Sequence, residues 1–470
     1  MMMKNNFLSK VFYAIRANFL ELLVNVIVTL LIPKFLGNEF EQYGYFQVYL
    51  FYIAYVGFFH FGWCDGILLR EGGKRYDELN KPLCSSQFHL ICVVEISIAF
   101  IVSILAFFLT NNEYRFVYTM VALNAVIYTP RRLLQYYLQS TNRIKEYAKI
   151  TEIGRGIYGI LLVLILLVGI RNYKFIIIGD VIGKTIALLS SMYICRDIVF
   201  AKAVSLSVGI REAYRNVSVG VKLLFANIAS MLITGIVRWG IQMNWDISTY
   251  GKISFSLSVS NFLLSFISAI AVVLYPTLKR EDKEKLPSYY NKIRNILMLF
   301  LFTCLLLYYP IQTVLVYWLP QYEESIRYMA ILFPVCVYAA KMSLLVQTYM
   351  NIFRMEKKLM QINIAGVVLA AVTTGLTVFA LKNLTLAMVS IVFNQMVRCV
   401  YAEVVVSRYM KINVIRDIVV ETTMVVLFVI FHWFLSGITG LSLYIICYVC
   451  CFVFKRGTIG ELYGLAKQKV

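Results

Sequence analysis

The chain has 470 residues, 60% of them hydrophobic and only 15% charged, with a mean hydropathy of +0.74, and this composition excludes an ordinary soluble domain. A net charge of +20 would point to nucleic acid in a soluble protein. Here most of that charge lies in short polar segments between long apolar runs, so lipid and not nucleic acid is the expected partner.

A spanning helix needs roughly 20 apolar residues. Apolar runs bounded by charged or turn-forming segments therefore predict an all-α polytopic membrane protein with about fourteen transmembrane helices. They fall at 10–32, 43–62, 84–109, 116–138, 149–170, 174–195, 217–240, 250–275, 290–310, 328–350, 359–381, 384–406, 416–435 and 438–454. An even number puts both termini on one side. With the termini in the cytoplasm, about 30 of the 45 Lys and Arg are cytoplasmic, about 6 lie in outer loops and about 9 at membrane depth, which satisfies the positive-inside rule. Arg70, Lys74, Arg75 and Lys81 then lie inside, as do Arg280, Lys283 and Lys285 and the tail carrying Lys467 and Lys469.

Lys4 and Lys10 precede the first apolar run in the manner of a signal peptide, but no small-residue cleavage site comes before Pro33 and Lys34, so the first helix is expected to be retained. Asn18, Glu21, Asn25 and Thr29 recur along it at three- and four-residue spacing and share one face. Further along, two short similarities recur at a nearly constant offset. Glu41 to Phe46 parallels Ser248 to Ile253, and Arg143 to Glu146 after the fourth span parallels Arg354 to Lys357 after the tenth, with Pro130 and Pro334 inside those two spans. Six spans separate each pair. That is the pattern of two six-helix halves related by a pseudo-two-fold axis along the membrane normal, here 1–200 and 211–412, with 413–470 forming two additional helices and a basic cytoplasmic tail.

Little in the chain suggests covalent chemistry. A phosphate-binding GxxxxGK loop and a GxSxG elbow are both absent, and His60, His89 and His432 fall near span ends. The longest expected outer loop, about 311–327, is too short to hold a glycosyl acceptor and catalytic residues. The ten cysteines sit mostly in apolar runs without His or acidic partners at ligand spacing, which reads as small apolar packing and not as a metal site. No enzyme activity, catalytic residue, cofactor or metal is expected.

The informative residues are cations at membrane depth: Arg16, Arg131, Arg132, Arg155, Lys184, Arg238, Lys341 and Arg398. An Arg or Lys at the bilayer centre costs about 2.5–3.5 kcal/mol on insertion scales, so several of them facing lipid is untenable. Lys184 lies four residues after Asp180 and Arg155 three after Glu152, spacings that let each be neutralised on its own helix. Arg16 and Arg132 are near enough to the cytoplasmic face to snorkel. Arg131, Arg238, Lys341 and Arg398 have no acid three or four positions away, and with Arg16 they form the expected binding set for an anionic cargo, because Arg and Lys make charge-assisted hydrogen bonds to phosphate. Arg238 closes a polar stripe with Asn227, Ser230, Thr234 and Gln242, and Arg131 closes one with Asn124, Tyr128, Gln135 and Gln139. Such stripes also serve plain helix–helix hydrogen bonding. Glu21, Asp180, Glu403 and Glu421 are candidates for coupling to a proton or sodium ion and equally for neutralising nearby cations.

The run Ile32-Pro33-Lys34-Phe35-Leu36-Gly37 with Tyr43-Gly44, the stretch Gly235-Ile236-Val237-Arg238-Trp239 and the segment Leu138-Gln139 to Tyr147 resemble the O-antigen and polysaccharide flippases (Wzx-like) of the multidrug/oligosaccharidyl-lipid/polysaccharide exporter superfamily. The resemblance covers essentially the whole chain in length, topology and repeat. It implies a flippase that moves an undecaprenyl-diphosphate-linked oligosaccharide, an O-antigen or capsule repeat unit, from the cytoplasmic to the outer leaflet of the bacterial inner membrane. It further implies a cationic central cavity, a groove for the lipid tail between the last two helices, Arg238 at the position of the family's Arg at the end of span seven, and other polysaccharide-assembly membrane proteins as partners. Two alternatives stay open: a small-molecule or multidrug exporter of the same superfamily, which calls for an acidic and aromatic cavity, and a membrane-embedded glycan polymerase. A non-catalytic scaffold for the glycan machinery is the blandest reading, and its polar stripes would tolerate substitution.

Overall fold

The computed structural model describes residues 16, 19–37, 39–279, 282, 284–435 and 437–467. Lys4, Lys10, Asn18, Arg280, Lys283 and Lys469, which entered the reading of topology and of the first helical face, lie outside the described residues. Every described element is helical, and no strand occurs among the described residues.

In chain order the helices are α1 (Phe19–Leu36), α2 (Phe40–Val56), α3 (Trp63–Arg70), α4 (Lys81–Leu109), α5 (Asn112–Ser140), α6 (Ile144–Val168), α7 (Tyr173–Ile194), α8 (Leu206–Asn244) and α9 (Ile247–Lys279). They continue with α10 (Leu286–Trp318), α11 (Pro320–Leu332), α12 (Val335–Ile352), α13 (Glu356–Ala380), α14 (Leu384–Met410), α15 (Ile415–Phe434) and α16 (Gly437–Lys467). Thirteen of the expected spans each overlap one of these helices, and 328–350 covers parts of both α11 and α12; residues 10–15, 17 and 18 of the first span lie outside the described residues. Among the described residues, 9 helices are long and apolar enough to cross a membrane, or up to 10 when α11 and α12, bent by 43° at their junction, count as one. The protein is thus a multi-pass membrane protein. Four expected spans, on α2, α5, α9 and α16, are not among those helices: α2 has 17 residues, α5 carries Arg115, Arg131, Arg132 and a series of amides along its length, and α16 offers only the shorter apolar stretch Gly437–Val453.

Local chemistry sets several boundaries. Asn80, Asn111, Asn172 and Asn383 precede α4, α5, α7 and α14, and each side-chain oxygen accepts a backbone N–H of the first turn, from Leu83 at 3.2 Å, Tyr114 at 3.0 Å, Lys174 at 2.9 Å and Leu386 at 3.0 Å. These caps satisfy donors that a helix start otherwise leaves open. α6 stops at Gly169, whose φ of 82° is the left-handed value that a glycine adopts without strain.

The chain forms two compact units, Met1–Ile228 and Ala229–Val470, the boundary falling inside α8. In the first unit α5 packs against α2, α3, α4 and α7, and α6 lies along α7. Its core gathers Trp63, Cys64, Ile67, Ile91, Leu133, Leu134, Tyr137, Ile150 and Ile198. Glycines bring backbones together at two crossings, as membrane helices do where apolar attraction between side chains gives no advantage over lipid. A Cβ on Gly183 would lie 2.7 Å from the carbonyl oxygen of Gly154, and a Cβ on Gly220 of α8 would overlap the backbone of Gly62 and Gly66. Polar bonds pin the same region: Trp63 Nε1 donates to Gln87 at 2.9 Å, Gln87 Nε2 to the Gly209 carbonyl at 3.0 Å, and Arg70 pairs with Glu212 at 2.6 Å.

In the second unit α9 packs against α11 and α12, α14 lies between α12 and α13, and α16 packs on α10 and α15. The two last helices are fastened by aromatic contacts, with His432 of α15 stacked on Phe428 at 4.1 Å and placed at 5.0 Å from Tyr308 and 6.0 Å from Tyr444.

Replacing Gly220 by Leu is expected to force α3 and α8 apart and to cost about 1–3 kcal/mol through overpacking. Thermal unfolding of the detergent-solubilised variant checks this, and an unchanged midpoint would contradict the close crossing.

Candidate functional site

A cavity of ≈ 380 Å³ lies within the first unit, walled by α1, α2, α5, α6 and α7. Its apolar side is Leu50, Ile53 and Ala54 of α2; facing it are four cations, Arg131 and Arg132 of α5, Arg155 of α6 and Lys184 of α7, with the two carboxylates Glu21 and Asp180. With four cations against two acids, the lining carries an excess of two positive charges.

The helical repeat puts the cations there. Asn124, Tyr128, Arg131 and Gln135 follow one another by three or four residues on α5, so the stripe read from sequence becomes one wall of the cavity. Asp180 and Lys184 are one turn apart on α7 and pair at 2.5 Å, as their spacing predicts. They also belong to a closed ring of hydrogen bonds: Lys184 Nζ donates to Asn124 Oδ1 at 2.9 Å, Asn124 Nδ2 to the Tyr49 hydroxyl at 2.9 Å, and that hydroxyl to Asp180 at 2.5 Å.

Arg155 departs from expectation. It pairs not with Glu152 of its own helix but with Glu21 of α1 at 2.8 Å, whereas Glu152 takes Arg16, which grips both carboxylate oxygens at 2.8 and 2.5 Å. Partners on a neighbouring helix allow the two-pronged geometry that a guanidinium favours. Arg16 is therefore engaged by α6 and is not among the residues that line the cavity. Arg132, expected to snorkel, lies over the Tyr136 ring at 4.4 Å and donates to its hydroxyl at 2.7 Å.

Arg131 is the exception. Its guanidinium stands 5.3 Å from the Tyr128 ring, its Nε is buried without a hydrogen-bond partner, and among the described residues no acid pairs with it. A cation held without a counter-ion at membrane depth is costly. Arg131 thus leaves a positive charge unmatched in the cavity wall.

The remaining predicted residues belong to the second unit. Arg238 donates to Ser254 at 3.0 Å and Tyr250 at 3.3 Å. Arg398, 7% exposed, is held by neutral groups: Nε donates to Asn363 at 2.9 Å and Nη2 to Ser230 at 2.8 Å. Ser230 and Thr234 of the α8 stripe thus bond to α14, the latter through Gln395 at 2.9 Å, which is the helix-joining role such stripes also have. Lys341 is 2% exposed and lies between Glu403, with which it pairs, and Glu421 at 2.6 Å. Arg294 completes this knot, reaching Glu403 at 2.6 Å, Asp417 at 3.0 Å and Glu421 at 3.0 Å. Both acids come from helices distant in sequence, so spacing along α12 could not reveal them. Two further charges carry a signal in the sequence itself: Arg294 lies inside the expected span 290–310, and Glu95 is the lone Asp, Glu, Lys or Arg in 84–109.

Replacing Lys341 by Met is expected to cost about 3–5 kcal/mol by leaving buried carboxylates underpaired, with part of the loss recovered in the double variant Lys341→Met, Glu403→Gln. Unfolding midpoints of the three proteins check it; a Met variant as stable as the parent would free Lys341 for a cargo role.

Residues 41–327 match the model of a family described as polysaccharide biosynthesis protein. Among solved structures, the chain is similar to the lipid II flippase MurJ in an inward closed conformation, with a TM-score of 0.67 at 10% identity over 96% of this chain and 100% of that one. It is also similar to the inward-facing conformation of a multidrug resistance MATE family transporter of the MOP superfamily, with a TM-score of 0.59 at 13% identity over 84% and 96%. No curated protein sequence matches the chain.

Proposed function

The chain belongs to the polysaccharide biosynthesis protein family, and from that premise we propose that it is a flippase carrying an undecaprenyl-diphosphate-linked oligosaccharide, an O-antigen or capsule repeat unit, from the cytoplasmic to the outer leaflet of a bacterial inner membrane. The observation that carries this reading is the cationic excess of the cavity, with Arg131 held there without a counter-ion. A diphosphate supplies the missing negative charge and several acceptor oxygens, and Arg131 and Arg132 replace its hydration with charge-assisted hydrogen bonds. Arg155 and Lys184, each already paired, tune the field and do not need the cargo to be satisfied.

The sign of the cavity also favours this cargo over the organic cations of a multidrug exporter, whose binding would call for unpaired acids. The apolar α2 wall and the tyrosines Tyr128 and Tyr147 offer surfaces for sugar rings, while the prenyl chain stays in lipid. Transport proceeds by alternating access, the cavity opening first to the cytoplasm and then outward. Both termini are cytoplasmic in this reading, other polysaccharide-assembly membrane proteins are its partners, and Arg238, Lys341 and Arg398 of the second unit are further candidates for contact with the cargo. Each half contributes six helices, and the last two serve the lipid tail.

Replacing Arg131 by Ala is expected to lower flipping roughly ten- to a hundredfold, the loss of one hydrogen-bonded charge contact of about 1.5–3 kcal/mol, with partial recovery in Arg131→Lys. Sidedness of the lipid-linked oligosaccharide in deletion cells complemented with each variant checks it. Cytoplasmic accumulation of complete units in the deletion strain and the Ala variant is the expected result. Normal outer delivery without the chain would sink the flippase reading, and accumulation of translocated single units would point to a polymerase instead.

A further inference from the structure

One ionisable group of the first unit takes no part in the cavity. Glu95 lies in the middle of α4 on the stripe Ile91, Glu95, Ala99 that faces the core, and its exposure is 0%. Both of its carboxyl oxygens are buried without a hydrogen-bond partner. Among the described residues, the buried carboxylate of Asp180 is paired with Lys184, and those of Glu403 and Glu421 with Arg294 and Lys341.

The groups around Glu95 give no positive charge to an ionised carboxylate. From α5 it meets the neutral hydroxyl of Thr129; the next cations on that helix are turned elsewhere, Arg131 to the cavity and Arg132 to Tyr136 and Asp65. From α3 it meets the thiol of Cys64, beside Asp65, and on its own helix Cys92. His89 bonds to the Ser85 carbonyl at 2.8 Å. The charged pair that ties α4 to its other neighbours, Lys81 with Asp197, lies at its first residue, and Gln87, which bonds to the Gly209 carbonyl of α8, is eight residues or about 12 Å from Glu95. Such surroundings accommodate a neutral acid and reject an anion.

We propose that Glu95 is a proton-binding site, and that its proton couples the proton gradient to transport. Glu95 holds the proton in the described arrangement and gives it up in another in which α5 has moved and water or a cation reaches the carboxyl. The link to the cavity is short along the chain. Thr129, the residue against Glu95, is followed by Pro130, which has no N–H for the i−4 bond and loosens the helix there, and then by Arg131 and Arg132 in the cavity wall. Bending α5 at Pro130 changes the cover over Glu95 and the position of the cargo-facing cations together. The coupling role rests on the flippase reading; the proton-binding role does not.

The full-length protein in phosphatidylethanolamine–phosphatidylglycerol vesicles tests both. Infrared spectra near neutral pH are expected to contain a protonated-carboxyl C=O band that is missing in Glu95→Gln and, as a second probe of similar volume, in Glu95→Met. In vesicles loaded with a fluorescent undecaprenyl-diphosphate oligosaccharide, the rate is expected to rise with an imposed pH gradient in the parent protein and to lose that response in Glu95→Gln. A band unchanged in both variants overturns the proton site. A band lost with the gradient response intact overturns the coupling. A parent protein that shows the band yet moves no lipid-linked sugar leaves the proton site standing and removes the flippase reading.

Discussion

A charge at membrane depth must find its opposite, because lipid solvates neither, and the arrangement of both units follows from that demand. In the second unit Arg294, Lys341, Glu403 and Glu421 enclose one another and tie α10, α12, α14 and α15 into one knot. In the first, Glu21 reaches Arg155 and Glu152 reaches Arg16, so α6 holds two ion pairs to residues that precede α2. Buried pairs of this kind add little net stability over apolar packing, yet they fix which helix stands beside which. Against that background Arg131 and Glu95 stand out: unlike Arg398, whose guanidinium is held by Asn363 and Ser230, each has at least one buried polar atom without a hydrogen-bond partner. Arg131 lacks an anion and Glu95 lacks a cation, and they flank the same proline-containing turn of α5.

Polar stripes divide along the same line. The α5 stripe, with Asn124, Tyr128, Arg131 and Gln135, faces an open space. In the α8 stripe, Ser230 and Thr234 are taken up by Arg398 and Gln395 and serve to join helices. Identical periodicity produces both, and the difference lies in what stands opposite.

Much of the fold is legible in the residues alone. Apolar run lengths locate the helices, the asparagines before α4, α5, α7 and α14 mark their starts, and the four-residue spacing of Asp180 and Lys184 predicts their pair. Legibility ends where partners come from other helices. Nothing along α12 announces that Lys341 will meet Glu403 and Glu421, and the three-residue spacing of Glu152 and Arg155 suggests a pair that interhelical geometry replaces. Glu95 was readable as a solitary charge in an apolar span, but its lack of any partner is a property of three-dimensional packing.

Gly154 has a consequence of its own. A methyl group there would clash with Ala187 at 2.8 Å and reach ordinary contact, 3.7 Å, with Arg131 Nη1, so the bare surface of α6 sets how closely α7 stands beside it at the level of that guanidinium. The bore of the cavity is thus gauged by a residue that carries no functional group. Since glycine is already the smallest residue, any substitution at position 154 narrows that space or parts α6 from α7, and leaves the charged residues themselves unchanged.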